Sequence, residues 1–326
     1  MQRSTQVDEV HGAPLWVHRF AVLTAAATLI LIFVGALVTS TGSGLAVPDW
    51  PLSFGQVFPP MVGGVLFEHG HRMVAAFVGM LTVTLMVLLS HWEPRSWVRW
   101  LARGALLAVV LQGTLGGLTV LLRLPTAVSV THACLAQAFF CLTVTLAVCT
   151  APGWHTLLPC CQDPCQPSLR FLVTATTVMV YLQLILGALM RHTGAGLAIP
   201  DFPLAFGRLI PPLLSPAVTI HFLHRLGALL VTCLGVWSII RVWRHYRSER
   251  VLRRPASTLA ILLFLQLTLG ALTIWTQRAV LPMTAHVAIG AAVLATSLVL
   301  TLRVYRLVMP AERVPGRGVV SEQVTA

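Results

Sequence analysis

The chain has 326 residues, of which 56% are hydrophobic and only 10% are charged, and its mean hydropathy is +0.83. A soluble protein carries about 25% charged residues, so this composition excludes a soluble domain and indicates an integral membrane protein. The formal net charge of +12 would suit a nucleic-acid partner, but the placement of the arginines explains it better.

Apolar runs of about 20 residues, the length that crosses the hydrocarbon core of a bilayer, recur along the whole chain. They lie at roughly 20–39, 67–90, 104–122, 128–150, 169–190, 217–240, 257–276 and 282–303. The sequence therefore predicts an all-α integral membrane protein with eight transmembrane helices. No cleavable signal is expected, because the first twenty residues include acidic residues and histidines rather than a basic start and a short apolar core.

The 22 basic residues are all arginines, and they are distributed unevenly between the two predicted membrane faces. With the N-terminus inside, sixteen lie on the inner side: Arg3, Arg19, Arg95, Arg99, Arg103, Arg170, Arg241, Arg244, Arg247, Arg250, Arg253, Arg254, Arg303, Arg306, Arg313 and Arg317. Four lie on the outer side: Arg123, Arg191, Arg208 and Arg278. Excess positive charge marks the cytoplasmic face. We therefore expect both termini in the cytoplasm and no nucleic-acid partner, and the lack of a transit-like lead favours a bacterial plasma membrane.

The second predicted helix opens on Glu68-His69-Gly70-His71-Arg72. Polar and ionisable residues that enter a lipid-spanning helix are costly, so by default they mark a functional site. Glu68 and His71 are one turn apart on one face of a helix, which suits a ligand or an acid–base role. The alternative is an interfacial anchor whose polar side chains snorkel to the lipid headgroups.

The second half of the chain repeats the plan of the first. Pro48-Asp49-Trp50-Pro51 recurs 152 residues later as Pro200-Asp201-Phe202-Pro203, and the His-Arg pair recurs as His224-Arg225. Such matches at a near-constant offset indicate a duplication. Because each unit has an even number of helices, both insert the same way. We expect two tandem four-helix bundles related by a pseudo-two-fold axis along the membrane normal.

This duplication divides the chain into three parts. Residues 1–150 are expected to form the N-terminal bundle and residues 169–326 the C-terminal bundle. Residues 151–168, which are rich in Pro and Cys, are expected to form a cytoplasmic linker.

Four of the twelve histidines occupy equivalent places in the two halves: His71, His132, His224 and His286. Each is four to eight residues below the outer end of its predicted helix, so the members of each pair share one depth. A single intramembrane histidine is more often a satisfied polar contact. Two symmetric pairs in an apolar cleft instead favour axial ligation of haem iron within each bundle.

The two halves differ beside these histidines. Glu68 stands three residues before His71, whereas His221 stands three residues before His224. A carboxylate beside an iron site can accept protons, which predicts one haem site for chemistry and one for electron transfer. Arg72 and Arg225 follow the histidines directly, and two roles are open for them: pairing with haem propionates or snorkelling to the interface.

Together these residues resemble the haem A synthase family over about residues 20–303. The resemblance rests on Thr41-Gly42-Ser43-Gly44-Leu45 with the Pro-Asp-Trp-Pro loop, on Glu68-x-x-His71-Arg72, and on the duplicated His-Arg and the four helical histidines. It implies oxidation of the C8 methyl of haem O to the formyl of haem A for terminal oxidases.

By that resemblance, His71 and His132 flank the substrate haem O with Glu68 as the catalytic carboxylate. His224 and His286 then ligate a resident haem b. The implied partners are haem O, the farnesyltransferase that produces it and the assembly of the terminal oxidase, with homo-oligomerisation left open. Many members carry a cysteine pair in the first outer loop, where this chain has Leu45-Ala46-Val47-Pro48 and Leu52-Ser53-Phe54.

Two other classes of protein share some of these features. One is a non-catalytic di-haem electron carrier similar to cytochrome b, and the other is a transporter built on parallel repeats. Glu68, which has no counterpart in the second half, favours the enzyme over the carrier. The absence of Gly/Pro-interrupted helices disfavours the transporter.

The predicted orientation is tested by thiol labelling in intact cells. Cys160, Cys161 and Cys165 all lie in the predicted cytoplasmic linker, so a membrane-impermeant reagent added from outside should leave them unmodified. Permeabilised cells provide the control, in which the same reagent should modify them. Rapid labelling in intact cells would reverse the orientation and contradict the shared outer depth of the histidines.

Overall fold

The structure, a computed structural model, describes residues 12–154, 157, 159, 161–163, 165–212 and 215–310. Within them, eight α-helices are long and apolar enough to cross a membrane. They are α1 (Leu15–Ser40), α2 (Gly64–Trp92), α3 (Ser96–Leu121), α4 (Thr126–Cys149), α5 (Leu169–His192), α6 (Pro216–His245), α7 (Arg250–Trp275) and α8 (Val280–Leu307). The predicted all-α fold with eight membrane-spanning helices is confirmed.

Two helices begin well before their apolar runs. α3 begins at Ser96 and α7 at Arg250, whereas the apolar runs begin near residues 104 and 257. The additional turns carry arginines, which lower the local hydropathy but are good helix formers. Arg99 also helps at the start of α3, because its Nη1 donates 2.8 Å hydrogen bonds to the backbone oxygens of Glu93 and Pro94.

In each half, consecutive helices are neighbours and the fourth helix packs against the first, so that α1–α4 and α5–α8 form two rings of the same order. We call the end where α2, α4, α6 and α8 begin the outer end, following the predicted orientation. The close-packed apolar core of each ring lies toward the inner end. Its members include Leu85, Leu89, Ala102 and Leu146 in the first ring, and Val173, Val242, Leu259 and Val304 in the second.

The two rings meet where α1 and α4 pack against α8 and α5. Ile32, Phe140, Val144 and Ala291 form a buried apolar cluster at this junction. The contacts α1–α8 and α4–α5 are those that a two-fold axis between the rings would exchange. The axis itself, and the division of the chain at residues 150 and 169, stay predictions.

A pair of three-residue strands at the inner end was not predicted. β1 (Cys161–Asp163) lies in the predicted linker and pairs in parallel with β2 (Val308–Pro310), which follows α8 directly. The buried Asp163 carboxylate accepts hydrogen bonds from Arg241 Nη2 at 3.2 Å and from the backbone N–H of Leu169. These contacts attach the linker to the second ring, and three residues are too few to show a strand period in sequence. Cys160 of the linker lies outside the described residues.

Candidate functional site

The four helical histidines lie at nearly the same depth. His71, His132, His224 and His286 follow the first residues of their helices by seven, six, eight and six positions. At 1.5 Å per residue these offsets correspond to about 9–12 Å along the helix axis. The depth predicted from the sequence therefore agrees with the helix bounds.

Each of these imidazoles packs against a glycine of the preceding helix. A Cβ atom added at the glycine would lie 3.0–3.2 Å from Cε1 of the histidine. The pairs are Gly35 with His71, Gly116 with His132, Gly187 with His224 and Gly270 with His286. A missing side chain on one helix therefore makes room for each imidazole on the next.

The four imidazoles form one pair in each ring of helices. His71 on α2 and His132 on α4 come from opposite helices of the first ring, and His224 on α6 and His286 on α8 come from opposite helices of the second. Within the described part of the chain, the Nδ1 atoms of His71, His132 and His286 are buried without a hydrogen-bond partner. Buried polar atoms are rarely left unpaired, and an unpaired imidazole nitrogen is a natural metal ligand.

Three glutamines contact these histidines. Gln112 Nε2 donates to the backbone oxygen of His132 at 3.0 Å and lies 3.3 Å from its Nε2. Gln266 makes the matching approach to His286 Nε2 at 3.4 Å. These contacts join neighbouring helices, α3 to α4 and α7 to α8.

Gln183 was missed at the sequence level. Its Nε2 donates to Nδ1 of His224 at 3.0 Å and to the backbone oxygen of His224 at 2.7 Å. At the equivalent position of α1 the chain has Leu31, and no described residue makes a hydrogen bond to the His71 ring. A polar residue in an apolar helix, absent from the other copy, was the signal that identified Glu68 and could also have identified Gln183.

Glu68 is buried and holds the first outer loop. Its Oε1 forms an ion pair with Arg72 Nη2 at 2.8 Å, and its Oε2 accepts the backbone N–H of Val47 at 2.9 Å. In the second half, Nδ1 of His221 accepts the backbone N–H of Ile199 at 3.2 Å. The two residues therefore make the same loop contact, one with a carboxylate and one without.

The two arginines that follow the histidines also hold outer loops. Nη1 of Arg72 donates to the backbone oxygens of Asp49 and Leu52, both at 2.8 Å. Arg225 donates to the backbone oxygens of Asp201 at 2.6 Å and Leu204 at 2.7 Å. Contact of either arginine with a haem propionate therefore stays a prediction. A propionate would have to bind a guanidinium group that already donates hydrogen bonds to backbone oxygens.

The aspartates of the repeated loops stabilise turns. The Asp49 carboxylate accepts the backbone N–H groups of Phe54 at 2.7 Å and Gly55 at 2.8 Å. The hydrogen bonds from the backbone N–H groups of Gly55 and Phe54 hold the pKa of the Asp49 carboxyl below its usual range. Asp201 makes the same bonds to Phe206 and Gly207. The two carboxylates therefore fix the conformation of their loops in the same way.

No group of three or more His, Cys, Asp or Glu side chains suited to a metal ion occurs in the described ranges. A haem iron with four porphyrin nitrogens needs only two protein ligands, one on each side. Two histidine pairs on opposite helices, with a glycine beside each imidazole and a buried, unpaired nitrogen in three of the four, fit that requirement. They do not fit a tetrahedral zinc site, which needs three or four protein ligands.

Comparison with known proteins identifies the family. The family model for COX15-CtaA, described as cytochrome oxidase assembly protein, matches residues 18–64 and 62–298. The chain belongs to the haem A synthase family. A relative named Heme A synthase from Symbiobacterium thermophilum is 35% identical over 257 residues, covering 76% of this chain and 82% of its own length. Relatives of the same name are 31% identical in both Shouchella clausii and Geobacillus kaustophilus, covering 81% and 79% of this chain and 88% and 82% of their own lengths. Membership of this family implies haem binding.

The glycine cradles predict the effect of one added methyl group. In Gly187→Ala the new Cβ would lie 3.0 Å from His224 Cε1, so the ring must move. Such overpacking costs about 1–3 kcal/mol, which weakens haem retention by about one to two orders of magnitude. The measurement is haem per protein, by pyridine haemochrome spectroscopy of the purified variant.

Gly113→Ala is the matched control, because Gly113 also lies inside a helix but has open space where its Cβ would be. It should keep the full haem content and, because alanine favours helix, lose no stability. Equal haem content in the two variants would mean that the cradle does not position His224.

Proposed function

We propose that this protein oxidises the C8 methyl group of haem O to a formyl group and so makes haem A for terminal oxidases. The observation that carries the proposal is the presence of two histidine pairs, of which only the first has a carboxylate, that of Glu68, one helical turn away. The name shared by the relatives supports the same activity.

The first ring is the proposed substrate site. His71 and His132 bind haem O from opposite sides, and Gly35 and Gly116 leave room for their imidazoles. No described residue makes a hydrogen bond to the His71 imidazole. Such freedom suits a site that must take up a substrate and release a product. Conversion of a methyl to a formyl group takes up one oxygen atom and, with water as its source, releases four protons and four electrons. Glu68 is the proposed acceptor of protons, and the electrons would pass one at a time to a haem in the second ring.

The second ring is the proposed site of a resident haem b. His224 and His286 hold it, and Gln183 and Gln266 fix the orientation of their rings. When bound, such a haem supplies one-electron redox chemistry. Fixed ligands suit a cofactor that stays in place, and the extra hydrogen bond from Gln183 is consistent with that role.

The setting proposed for the reaction follows from the sequence. The protein is a multi-pass protein of a bacterial plasma membrane with both termini in the cytoplasm, residues 1–150 and 169–326 forming the two haem-binding bundles. It receives haem O from the farnesyltransferase that produces it and serves the assembly of the terminal oxidase.

Alanine substitutions separate the two sites. His224→Ala or His286→Ala should remove the low-spin haem b spectrum of the purified protein, because each deletes one axial ligand. His71→Ala or His132→Ala should keep that spectrum but abolish conversion of haem O in cells that supply it. Haem b retained in the second-ring variants, or lost only in the first-ring variants, would contradict the assignment of the sites.

The role of Glu68 is tested with two substitutions. In Glu68→Gln the shape is kept but the base is lost. Glu68→His reproduces the second half, where His221 makes the same loop contact without a carboxylate. If the carboxylate accepts protons, both variants should retain haem b, and Glu68→Gln should form haem A at least about 100-fold more slowly. Glu68→His should lose less activity, because an imidazole can itself accept protons. The readout is pigment extraction, scored for haem O, the alcohol and haem A.

Both variants keep an acceptor for the Val47 N–H, so together they separate proton transfer from loop anchoring. Near-normal haem A from Glu68→His, together with a defect in Glu68→Gln, would show that the position needs a base but not a carboxylate. Near-normal haem A from both would exclude any requirement for the side chain.

A further inference from the structure

The first outer loop, residues 41–63, lies beside the helices rather than above them. Its contacts are made to residues four to eight positions inside α2, and to α3 four residues before its end. Val47 bonds to Glu68, Ser53 Oγ lies 2.7 Å from His69 Nδ1, and the backbone at Asp49 bonds to Arg72. A Cβ added at Gly117 of α3 would lie 2.6 Å from Cδ2 of the Trp50 ring. These contacts place the loop alongside the first turns of α2 and the last turn of α3 and not beyond the helix ends.

The second outer loop, residues 193–215, has the same placement in its described part, which excludes residues 213 and 214. Ile199 bonds to His221, five residues into α6, and Arg225 bonds to the backbone oxygen of Asp201. The Phe202 ring packs edge-on against Trp275 of α7, with 6.1 Å between ring centroids. Both copies of the loop therefore lie at the depth of the first helical turns.

The loops satisfy much of their backbone hydrogen bonding internally. In the first, Ser53 and Gln56 exchange two backbone hydrogen bonds of 3.0 Å, and the Asp49 carboxylate takes the N–H groups of Phe54 and Gly55. Ala205 and Arg208 form the matching bridge in the second. Irregular backbone at membrane depth requires such internal partners because lipid offers none. A loop in water has no such requirement.

Most of the large side chains that these loops expose are apolar, and the exposed Gln56 and Arg208 are polar exceptions. In the first loop the apolar side chains include Phe54, Val57, Phe58 and Val62, and in the second Phe206, Leu209 and Ile210. Phe58 is 76% exposed and Leu209 is 83% exposed. Scattered exposed apolar residues are normal in a soluble protein, but equivalent clusters in two duplicated loops indicate an interaction surface.

We propose that both outer loops are immersed in the outer leaflet of the membrane, with these apolar side chains among the lipid acyl chains. The depth of the contacts and the internal hydrogen bonding select lipid over a protein partner. The exposed guanidinium of Arg208 then reaches the headgroup region. The apolar side chains then gain burial from the bilayer rather than from the fold.

Photocrosslinking in vesicles tests this inference. p-Benzoylphenylalanine is introduced in place of Phe58 or Leu209, and the full-length protein is reconstituted in palmitoyl-oleoyl-phosphatidylcholine vesicles and irradiated. Lipid adducts are counted by mass spectrometry of the intact protein. Replacement of Phe264, 71% exposed in the middle of α7, is the positive control, and that of Arg247, exposed in the inner turn before α7, is the negative control.

The expected lipid-adduct yield at both loop positions is within about threefold of that at Phe264 and at least tenfold above that at Arg247. Yields at the Arg247 level would overturn the inference. So would crosslinks that join the loops to another polypeptide in place of lipid. If a variant with the Phe58 replacement does not fold, Val57 and Ile210 serve as the neighbouring positions for the same comparison.

Discussion

The site depends on space for an imidazole between two closely packed helices. Helix pairs in membranes approach closely where their contact residues are small, and here the smallest residue faces a histidine four times. A Cβ at Gly35, Gly116, Gly187 or Gly270 would press on the ring opposite. The glycines are therefore a steric condition for placing two histidine pairs at one depth, and the remaining contacts refine that placement.

The close-packed inner half of each ring supports this arrangement. Leu85, Leu89 and Leu146 in the first ring are almost fully buried, which fixes the helices relative to one another near the inner end. The outer ends can then carry polar side chains and glycines without losing the bundle. The residues that stabilise the bundle and those of the candidate site thus lie at different depths of the same helices.

The sequence predicted the eight helices, the duplication and the four histidines, because each has a periodic or repeated signal. It did not predict that Glu68 and His221 would make the same loop contact, since that contact joins residues more than twenty positions apart with no period to reveal it. The contact of Gln183 with His224 likewise joins residues that are distant in sequence. The strands β1 and β2 are too short to leave a pattern. The helix starts at Ser96 and Arg250 were missed because hydropathy marks only the apolar part of a helix. Both helices begin with polar turns that precede that part.

Divergence between the halves changes charge as well as shape. Arg72 and Asp49 in the first half have equivalents in Arg225 and Asp201 in the second. These residues therefore contribute the same net charge to each half. Glu68 adds one negative charge to the first ring, and His221 adds none when neutral. Within the membrane, where the dielectric constant is low, one charge at short range changes the free energy of adding an electron substantially. The first ring is therefore the better place to remove electrons from a bound group, and the second is the better place to receive them. This is the direction that the proposed oxidation of a substrate between His71 and His132 would require.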